Sequence, residues 1–323
     1  MRRAIMKTAE IRIEGAETLS MEAPPLPQLY RDSSFWGMTI TQFWGAFNDN
    51  LFKQLMLLLS LKVAAEDRQH IAMAVFSIPF VLFSGFAGYL ADRYSKRVIV
   101  VLSKFAEIVV MALGMVAFLS FGSYGFAGLL VVLFLMGTQS AFFGPGKYGI
   151  LPEMLREDDL PRANGLILMT TFLAIIFGAA SAGFFSDLAT KGSGTLGAAA
   201  HKMWIASAVC IGIAVLGTAT SLLVRRVPAA MPGLPFRWTA LTIPVETRRM
   251  LASDRPLFGA LVASSVFWLV AGVANLAVNS LGKLQLELSD LKTSLMVASI
   301  GVGIATGAVL AGRISCGQAN FRV

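Results

Sequence analysis

The chain is poor in charged residues, histidine and cysteine. Charged side chains make up 14% of its 323 residues, hydrophobic ones make up 56%, and the mean hydropathy is +0.69. A water-soluble domain of this length has too little polar surface to cover so much apolar side chain. The two cysteines, Cys210 and Cys316, lie in or at the end of apolar runs without metal-ligand or disulfide spacing, so both are predicted to be packing residues.

Signatures of soluble function classes are also missing. The formal charge is +8, but Lys and Arg are spread over short segments rather than gathered on one face, so no nucleic-acid partner is predicted. No nucleotide-binding loop is present. Phospholipid acyltransferases place an Asp five residues after a His, whereas Val75 and Ala206 follow His70 and His201 at that distance. The chain is therefore predicted not to be an enzyme and to hold no cofactor, and any acyltransferase or synthetase activity is expected in a segment beyond residue 323.

What the sequence has instead is eight apolar runs, each of about 20 residues or more and long enough to cross a ~30 Å hydrocarbon core. The runs are continuous and rich in Gly and Leu, unlike the short alternating segments of a barrel. They predict an all-α polytopic membrane protein with eight transmembrane helices. The runs are Phe35–Leu61, Ile71–Ala91, Val98–Phe121, Gly125–Leu151, Asn164–Leu188, Met203–Val224, Leu257–Leu281 and Thr293–Gly312.

Most Lys and Arg residues fall on alternate connecting segments, which the positive-inside rule assigns to the cytoplasm together with both termini. Four regions follow: a flexible cytoplasmic tail at 1–33, six predicted helices at 34–224, a linker at 225–256, and two further predicted helices at 257–323. The linker is predicted to be a tether with a weak contact to anionic lipid. The stretch 187–202, which contains KGSGTLG, is predicted to be a flexible loop on the outside.

A polar cluster interrupts the first apolar run. Asn48, Asp49, Asn50 and Lys53 lie within one predicted helix, where each ionisable group costs about 2.5 to 3.5 kcal/mol at membrane depth. Asp49 and Lys53 are spaced i,i+4 and can neutralise each other. The cluster is predicted to line a substrate or ion pathway, and the alternative is a pair that only holds the helix against its neighbours.

Three further helices carry polar candidates for the same pathway. Each helix also allows a purely structural interpretation. The i,i+3 pair Lys104 and Glu107 could be a self-neutralised ion pair, and Lys147 could be a cation that reaches the membrane interface. Asn275 and Asn279 could form hydrogen bonds between helices. Gly144, Pro145 and Gly146 are predicted to interrupt the fourth helix, so that this part of it either lines a cavity or is packed by protein. The candidates are Lys104, Glu107, Gln139, Lys147, Tyr148 and Asn275.

The segment GYLADRYSKR, from Gly88 to Arg97, follows the second apolar run. It resembles the loop signature of the major facilitator superfamily, with Ser95 in place of the usual second glycine. The resemblance implies a cytoplasmic charge network that steadies the outward-facing state. The residues at signature positions that we assign to this conformational motif are Gly88, Asp92, Arg93, Lys96 and Arg97.

Two more motifs narrow the resemblance. GAFNDN with Phe52 and Lys53, and the stretch from Phe143 to Leu151, are similar to the bacterial lysophospholipid transporter branch. The superfamily has twelve helices in two sixes, so the resemblance implies a major facilitator fold truncated to one six-helix half plus helices seven and eight.

The resemblance implies a secondary transporter that moves lysophospholipid, with lysophosphatidylethanolamine favoured, across the inner membrane by alternating access for re-acylation. Implied partners are membrane lipid, the lysophospholipid, and a fused or associated acyltransferase and acyl-carrier-protein synthetase. H⁺ or Na⁺ is the candidate coupling cation. Asp49, Lys53, Lys104 and Glu107 are predicted to face one another, with a lysine on the phosphate and a carboxylate on the ammonium. The alternatives are a cation-coupled exporter of amphipathic molecules or drugs, and a noncatalytic membrane anchor.

Overall fold

The structure, a computed structural model, describes residues 27–63, 67–236 and 245–314. Long helices lie at all eight predicted places, and six described helical segments are long and apolar enough to cross a membrane. The two other long helices are α1, which carries the polar cluster, and α11. The prediction of an all-helical, multi-pass fold is confirmed. The helices are α1 (Ser33–Val63), α2 (Gln69–Arg93), α3 (Lys96–Leu119), α4 (Phe121–Gly149), α5 (Leu151–Met154), α6 (Leu160–Thr190), α7 (Leu196–Lys202), α8 (Trp204–Ser221), α9 (Val245–Ser253), α10 (Arg255–Ser280) and α11 (Asp290–Ile314).

Helix α1 lies at the centre of the bundle. It packs against α6 and α8, and also contacts α2, α4 and α10. Its apolar residues are buried around much of its circumference, and Phe52, Leu55 and Met56 are at most 1% exposed. Cys210 packs into the same core, as predicted. Cys316 lies outside the described residues.

Three buried amides join α1 to its neighbours along its length. Near one end, Gln42 donates to Thr170 Oγ1 of α6 at 2.6 Å. Near the middle, Asn48 donates to Glu107 Oε1 of α3 at 2.8 Å and to the Cys210 carbonyl of α8 at 2.9 Å. Towards the other end, Gln54 donates to Asn279 of α10 at 2.7 Å. Each amide would be costly in lipid, so these contacts favour one arrangement of helices.

Two glycines allow close helix crossings. A Cβ at Gly137 of α4 would clash with the Phe76 carbonyl oxygen of α2. A Cβ at Gly183 of α6 would lie 2.6 Å from the Asp290 carbonyl oxygen of α11. Small residues permit such contacts between membrane helices. At Gly88 of α2, by contrast, a Cβ would meet nothing within 4 Å.

Two predictions about local structure are wrong. The stretch 187–202 is not a flexible loop, because α6 continues to Thr190 and α7 occupies Leu196–Lys202. The alanines of α7 favour helix, and the Thr195 side chain accepts the Ala198 N–H at 3.2 Å. The expected interruption at Gly144–Gly146 is also absent, since α4 includes Pro145 and continues to Gly149; its non-helical residue is Gly125, at φ 57° and ψ −151°.

The first part of the linker is not a free tether. Val227 accepts the Ser95 hydroxyl at 2.7 Å, and the Met231 N–H donates to the Asp92 carbonyl at 2.8 Å. The Phe236 ring packs edge-on against Tyr89, with centroids 5.4 Å apart. Residues 227–236 therefore pack on the loop between α2 and α3, and helix α9 follows further along the linker.

At the opposite end of the bundle, Asp290 at the start of α11 joins the two predicted halves. Its carboxylate pairs with Lys62 of α1 and accepts the Ser186 hydroxyl of α6 at 2.6 Å. The Asp187 carboxylate accepts the N–H groups of Asp290 and Leu291 at 2.8 and 3.0 Å. An anion at a helix N-terminus is favourable, so Asp187 also stabilises the first turn of α11.

A second contact at this end joins α2 to α10. Burial raises the pKa of Asp67, but hydrogen bonds from Ser280 and Gln69 outweigh it and hold the pKa below the ordinary value. The Ser280 hydroxyl lies 2.5 Å from Asp67 Oδ2, and the Gln69 N–H lies 3.0 Å from Oδ1. Asp67 is therefore a carboxylate at neutral pH and accepts both bonds.

Candidate functional site

A cavity of about 180 Å³ lies between α1, α2, α3 and α4. We call it the Asp49 cavity. It combines charged and amide groups with apolar walls from Phe80 and Phe143. Its polar lining residues are Gln42, Asp49, Lys104, Glu107, Gln139, Ser140, Lys147 and Tyr148.

Helix α4 fixes the position of the Asp49 carboxylate. The Ser140 hydroxyl donates to Oδ2 at 2.7 Å, and Gln139 Nε2 lies 3.4 Å from Oδ1. Gln139 Nε2 also donates to the Ser140 hydroxyl oxygen at 2.8 Å. Neither donor is a cation, so neither of these contacts is an ion pair, and Asp49 remains free to pair with a cationic group of a ligand.

Lys147 brings a cation to the same cavity, at the end of α4 nearest the α2–α3 loop. Its side chain is largely buried, and its Nζ lies 4.8 Å from the centroid of the Tyr148 ring. A cation over an aromatic face is stabilised without being neutralised. Asp49 and Lys147 therefore offer one negative and one positive group to a single cavity, which matches a ligand carrying both charges.

Lys104 and Glu107 are a neutralised pair in the structure. Both residues are 1% exposed, their side chains form an ion pair, and Glu107 also accepts from Asn48. A Cβ at Gly45 would lie 3.0 Å from Lys104 Nζ, so the ammonium is closely packed. The spacing of Lys104 and Glu107 allowed either a substrate contact or a structural ion pair, and this geometry favours the structural ion pair.

Lys53 does not pair with Asp49. Its Nζ donates to Asn50 Oδ1 at 3.0 Å and lies 5.3 Å from the centroid of the Phe76 ring. Within the described part of the chain no ion pair joins it to Asp49. Of the four charges predicted to face one another, Asp49, Lys104 and Glu107 line the Asp49 cavity, whereas Lys53 lines a different one.

Lys53, Asn50 and Asn275 line a second cavity of about 200 Å³, which we call the Lys53 cavity. It lies between α1, α2 and α6 of the first predicted half and α10 and α11 of the second. Most of its wall is apolar and includes Trp268. Asn275 also accepts from Asn279 Nδ2 of the same helix at 3.3 Å. The interhelical bond of this pair is made by Asn279, which accepts from Gln54 of α1, while Asn275 lines the cavity.

The loop motif forms local contacts at its end of the bundle. Arg93 donates to the Tyr89 hydroxyl, and Lys96 pairs with Glu153 of α5. Arg97 donates to the Leu222 carbonyl at 3.0 Å, next to α8. Asp92 contributes its backbone carbonyl to the linker, as described above.

Ser140 is a site residue that the sequence interpretation missed. Its signal was present, because Thr138, Gln139 and Ser140 are three consecutive polar residues within an apolar run. Helical spacing alone could not show which of them points towards α1.

Comparison with known proteins now identifies the fold. The family model described as Major Facilitator Superfamily matches residues 35–321, which is most of the chain. The chain belongs to the major facilitator superfamily. A solved structure titled "Selectivity mechanism of a bacterial homologue of the human drug peptide transporters PepT1 and PepT2" agrees in fold, with a TM-score of 0.52 at 16% identity over 76% of this chain and 53% of that one.

Curated relatives within the superfamily confirm the resemblance to the lysophospholipid transporter branch. The protein named Lysophospholipid transporter LplT from Cronobacter sakazakii is 29% identical over 279 residues, which are 85% of this chain and 64% of the relative. The protein of the same name from Pectobacterium carotovorum is 30% identical over 295 residues, or 90% of this chain and 66% of the relative. The chain thus spans somewhat less than two thirds of the length of these relatives.

Proposed function

We propose that this superfamily member is a secondary transporter of lysophospholipid and that the Asp49 cavity receives the headgroup. The observation that carries the proposal is that Asp49 and Lys147 line one cavity with no described ion pair between them. The names of the curated relatives support the substrate class.

The charges of the cavity favour a zwitterionic headgroup. Lys147 suits the phosphate, since an ammonium binds phosphate as a point charge, and Asp49 suits an ethanolamine ammonium. Lys104 is excluded from the phosphate role because Glu107 already neutralises it. Lysophosphatidylethanolamine is therefore the proposed substrate, moved by alternating access and delivered for re-acylation.

The setting of this activity is also part of the proposal. The membrane is the bacterial cytoplasmic membrane, with the N-terminus and the α2–α3 loop in the cytoplasm, because the connecting segments at that end carry most of the Lys and Arg residues. A proton or Na⁺ is the proposed coupling cation, and Asp49 is the group that responds to it.

Uptake by proteoliposomes containing the full chain tests the proposal. Labelled lysophosphatidylethanolamine and a cationic amphipathic dye are offered separately to wild type, to Asp49→Asn, and to Asp158→Asn as a matched control on an exposed connector. We expect lysolipid uptake by wild type and the control, with strong loss in Asp49→Asn. Movement of the dye without lysolipid would instead support the cation-coupled exporter.

A further inference from the structure

A third cavity lies away from both cavities that contain the transport candidates. It has a volume of about 370 Å³ and forms where α9 of the linker meets the start of α10. Arg248, Leu251, Ala252, Arg255 and Phe258 line it. The lining therefore combines two guanidinium groups with an apolar wall.

The two guanidinium groups are available to a ligand. Within the described residues neither Arg248 nor Arg255 forms an ion pair, and no described carboxylate lines the cavity. The nearby Asp254 carboxylate instead accepts the Leu257 N–H at 3.0 Å and so stabilises the first turn of α10. The cavity is therefore positively charged.

The cavity lies at the end of a helix that can span a membrane. α10 is one of the helices long and apolar enough to cross a membrane, and Arg255 is its first residue. Phe258, one turn later, is exposed, as are Met250 and Leu257. Basic and apolar side chains together at the end of a spanning helix are suited to lipid at the membrane surface.

We infer that this cavity binds the phosphate of an anionic diacyl phospholipid in the leaflet next to the linker. Arg248 and Arg255 hold the phosphate through charge-assisted hydrogen bonds, for which guanidinium geometry is well suited. Leu251 and Phe258 lie against the first part of an acyl chain. The absence of a lining carboxylate among the described residues favours an anionic headgroup over one with an ammonium, in contrast to the Asp49 cavity.

Native mass spectrometry of the full chain in detergent tests this inference with phosphatidylglycerol and phosphatidylethanolamine as the probes. The test variant is Arg248→Gln with Arg255→Gln. The matched control is Arg162→Gln with Arg226→Gln, which removes the same charge from exposed positions at the same end of the bundle. Each arginine near an anionic lipid contributes about fivefold in affinity, so the test variant should bind phosphatidylglycerol about 25-fold more weakly.

Retention of phosphatidylglycerol over phosphatidylethanolamine by wild type and the control, with loss in the test variant, would support the site. Equal retention of the two lipids by wild type would overturn it, as would an equal loss in the control. A further arm with lysophosphatidylglycerol identifies the source of the phosphate. Because this lysolipid can also enter the Asp49 cavity, the comparison is the loss caused by the test variant, and a larger loss for the lysolipid than for the diacyl lipid would also overturn the inference. Lysolipid uptake is not the readout, so this result is independent of the proposed transport function.

Discussion

Asp49 and Lys53 lie one turn apart on α1 but form no ion pair with each other. Their i,i+4 spacing allows an ion pair, yet Asp49 accepts from Ser140 and Lys53 donates to Asn50. The two groups consequently line different cavities. Spacing along α1 could not reveal this, because the deciding partner, Ser140, comes from α4.

The Ser140 hydroxyl is expected to position Asp49 for headgroup binding. Ser140→Ala removes a hydrogen bond to a charged group, so lysophosphatidylethanolamine should bind about 10-fold more weakly, whereas Ser140→Thr should restore binding. Titration of the purified chain with labelled lysolipid measures both. Thr138→Val is the control, because the Thr138 hydroxyl donates to the Phe134 carbonyl of its own helix. Equal effects at the two positions would contradict a positioning role.

The buried pair Lys104 and Glu107 is expected to affect stability through its balance of charge. Lys104→Met leaves Glu107 unpaired and should destabilise the fold by about 3 to 5 kcal/mol. Adding Glu107→Gln should recover much of that loss, since no lone charge remains. Thermal unfolding in detergent distinguishes the variants, and a double variant no more stable than Lys104→Met would show that the ion pair is not the main stabilising contact.

At the scale of helices, apolar length predicted the fold well and local irregularities poorly. All eight long helices lie at the apolar runs, because a membrane core requires long apolar segments with internally bonded backbones. The expected interruption at Pro145 fails since α4 tolerates proline within the bundle. The contact of residues 227–236 with the α2–α3 loop depends on tertiary packing, which composition does not encode.

The crossing of α2 and α4 provides a test at this scale. Gly137→Ala would place a methyl group against the Phe76 carbonyl, so the helices must separate at a cost of about 1 to 3 kcal/mol. Gly122→Ala on the same helix meets nothing within 4 Å and should be neutral or slightly stabilising. Thermal unfolding of the two variants is the measurement, and similar stability in both would show that the crossing is looser than described.

For the whole molecule, the structure shows which connecting segments lie at the same end of the bundle. It does not show which end faces the cytoplasm. Lys62 and Asp290 meet at one end, and Ser95 and Val227 meet at the other. Charge distribution predicts that the Ser95 end is cytoplasmic.

Single-cysteine variants in a Cys210→Ala, Cys316→Ser background measure the orientation. With an impermeant maleimide added outside intact cells, Ala65→Cys and Ser193→Cys should react, whereas Ser95→Cys and Ser253→Cys should react only after the membrane is opened. Labelling of Ser95→Cys from outside would reverse the proposed topology.

The central claim is that Asp49 and Lys147 recognise the two charges of one headgroup. Equilibrium binding of lysophosphatidylethanolamine and lysophosphatidylglycerol to the purified chain tests it directly, because both lipids carry the phosphate and only the first carries an ammonium. Asp49→Asn should weaken binding of the ethanolamine lipid about 10-fold and leave the glycerol lipid nearly unchanged, while Lys147→Met should weaken both. If Asp49→Asn affects the two lipids equally, or affects neither, Asp49 does not bind the ammonium and the account is contradicted.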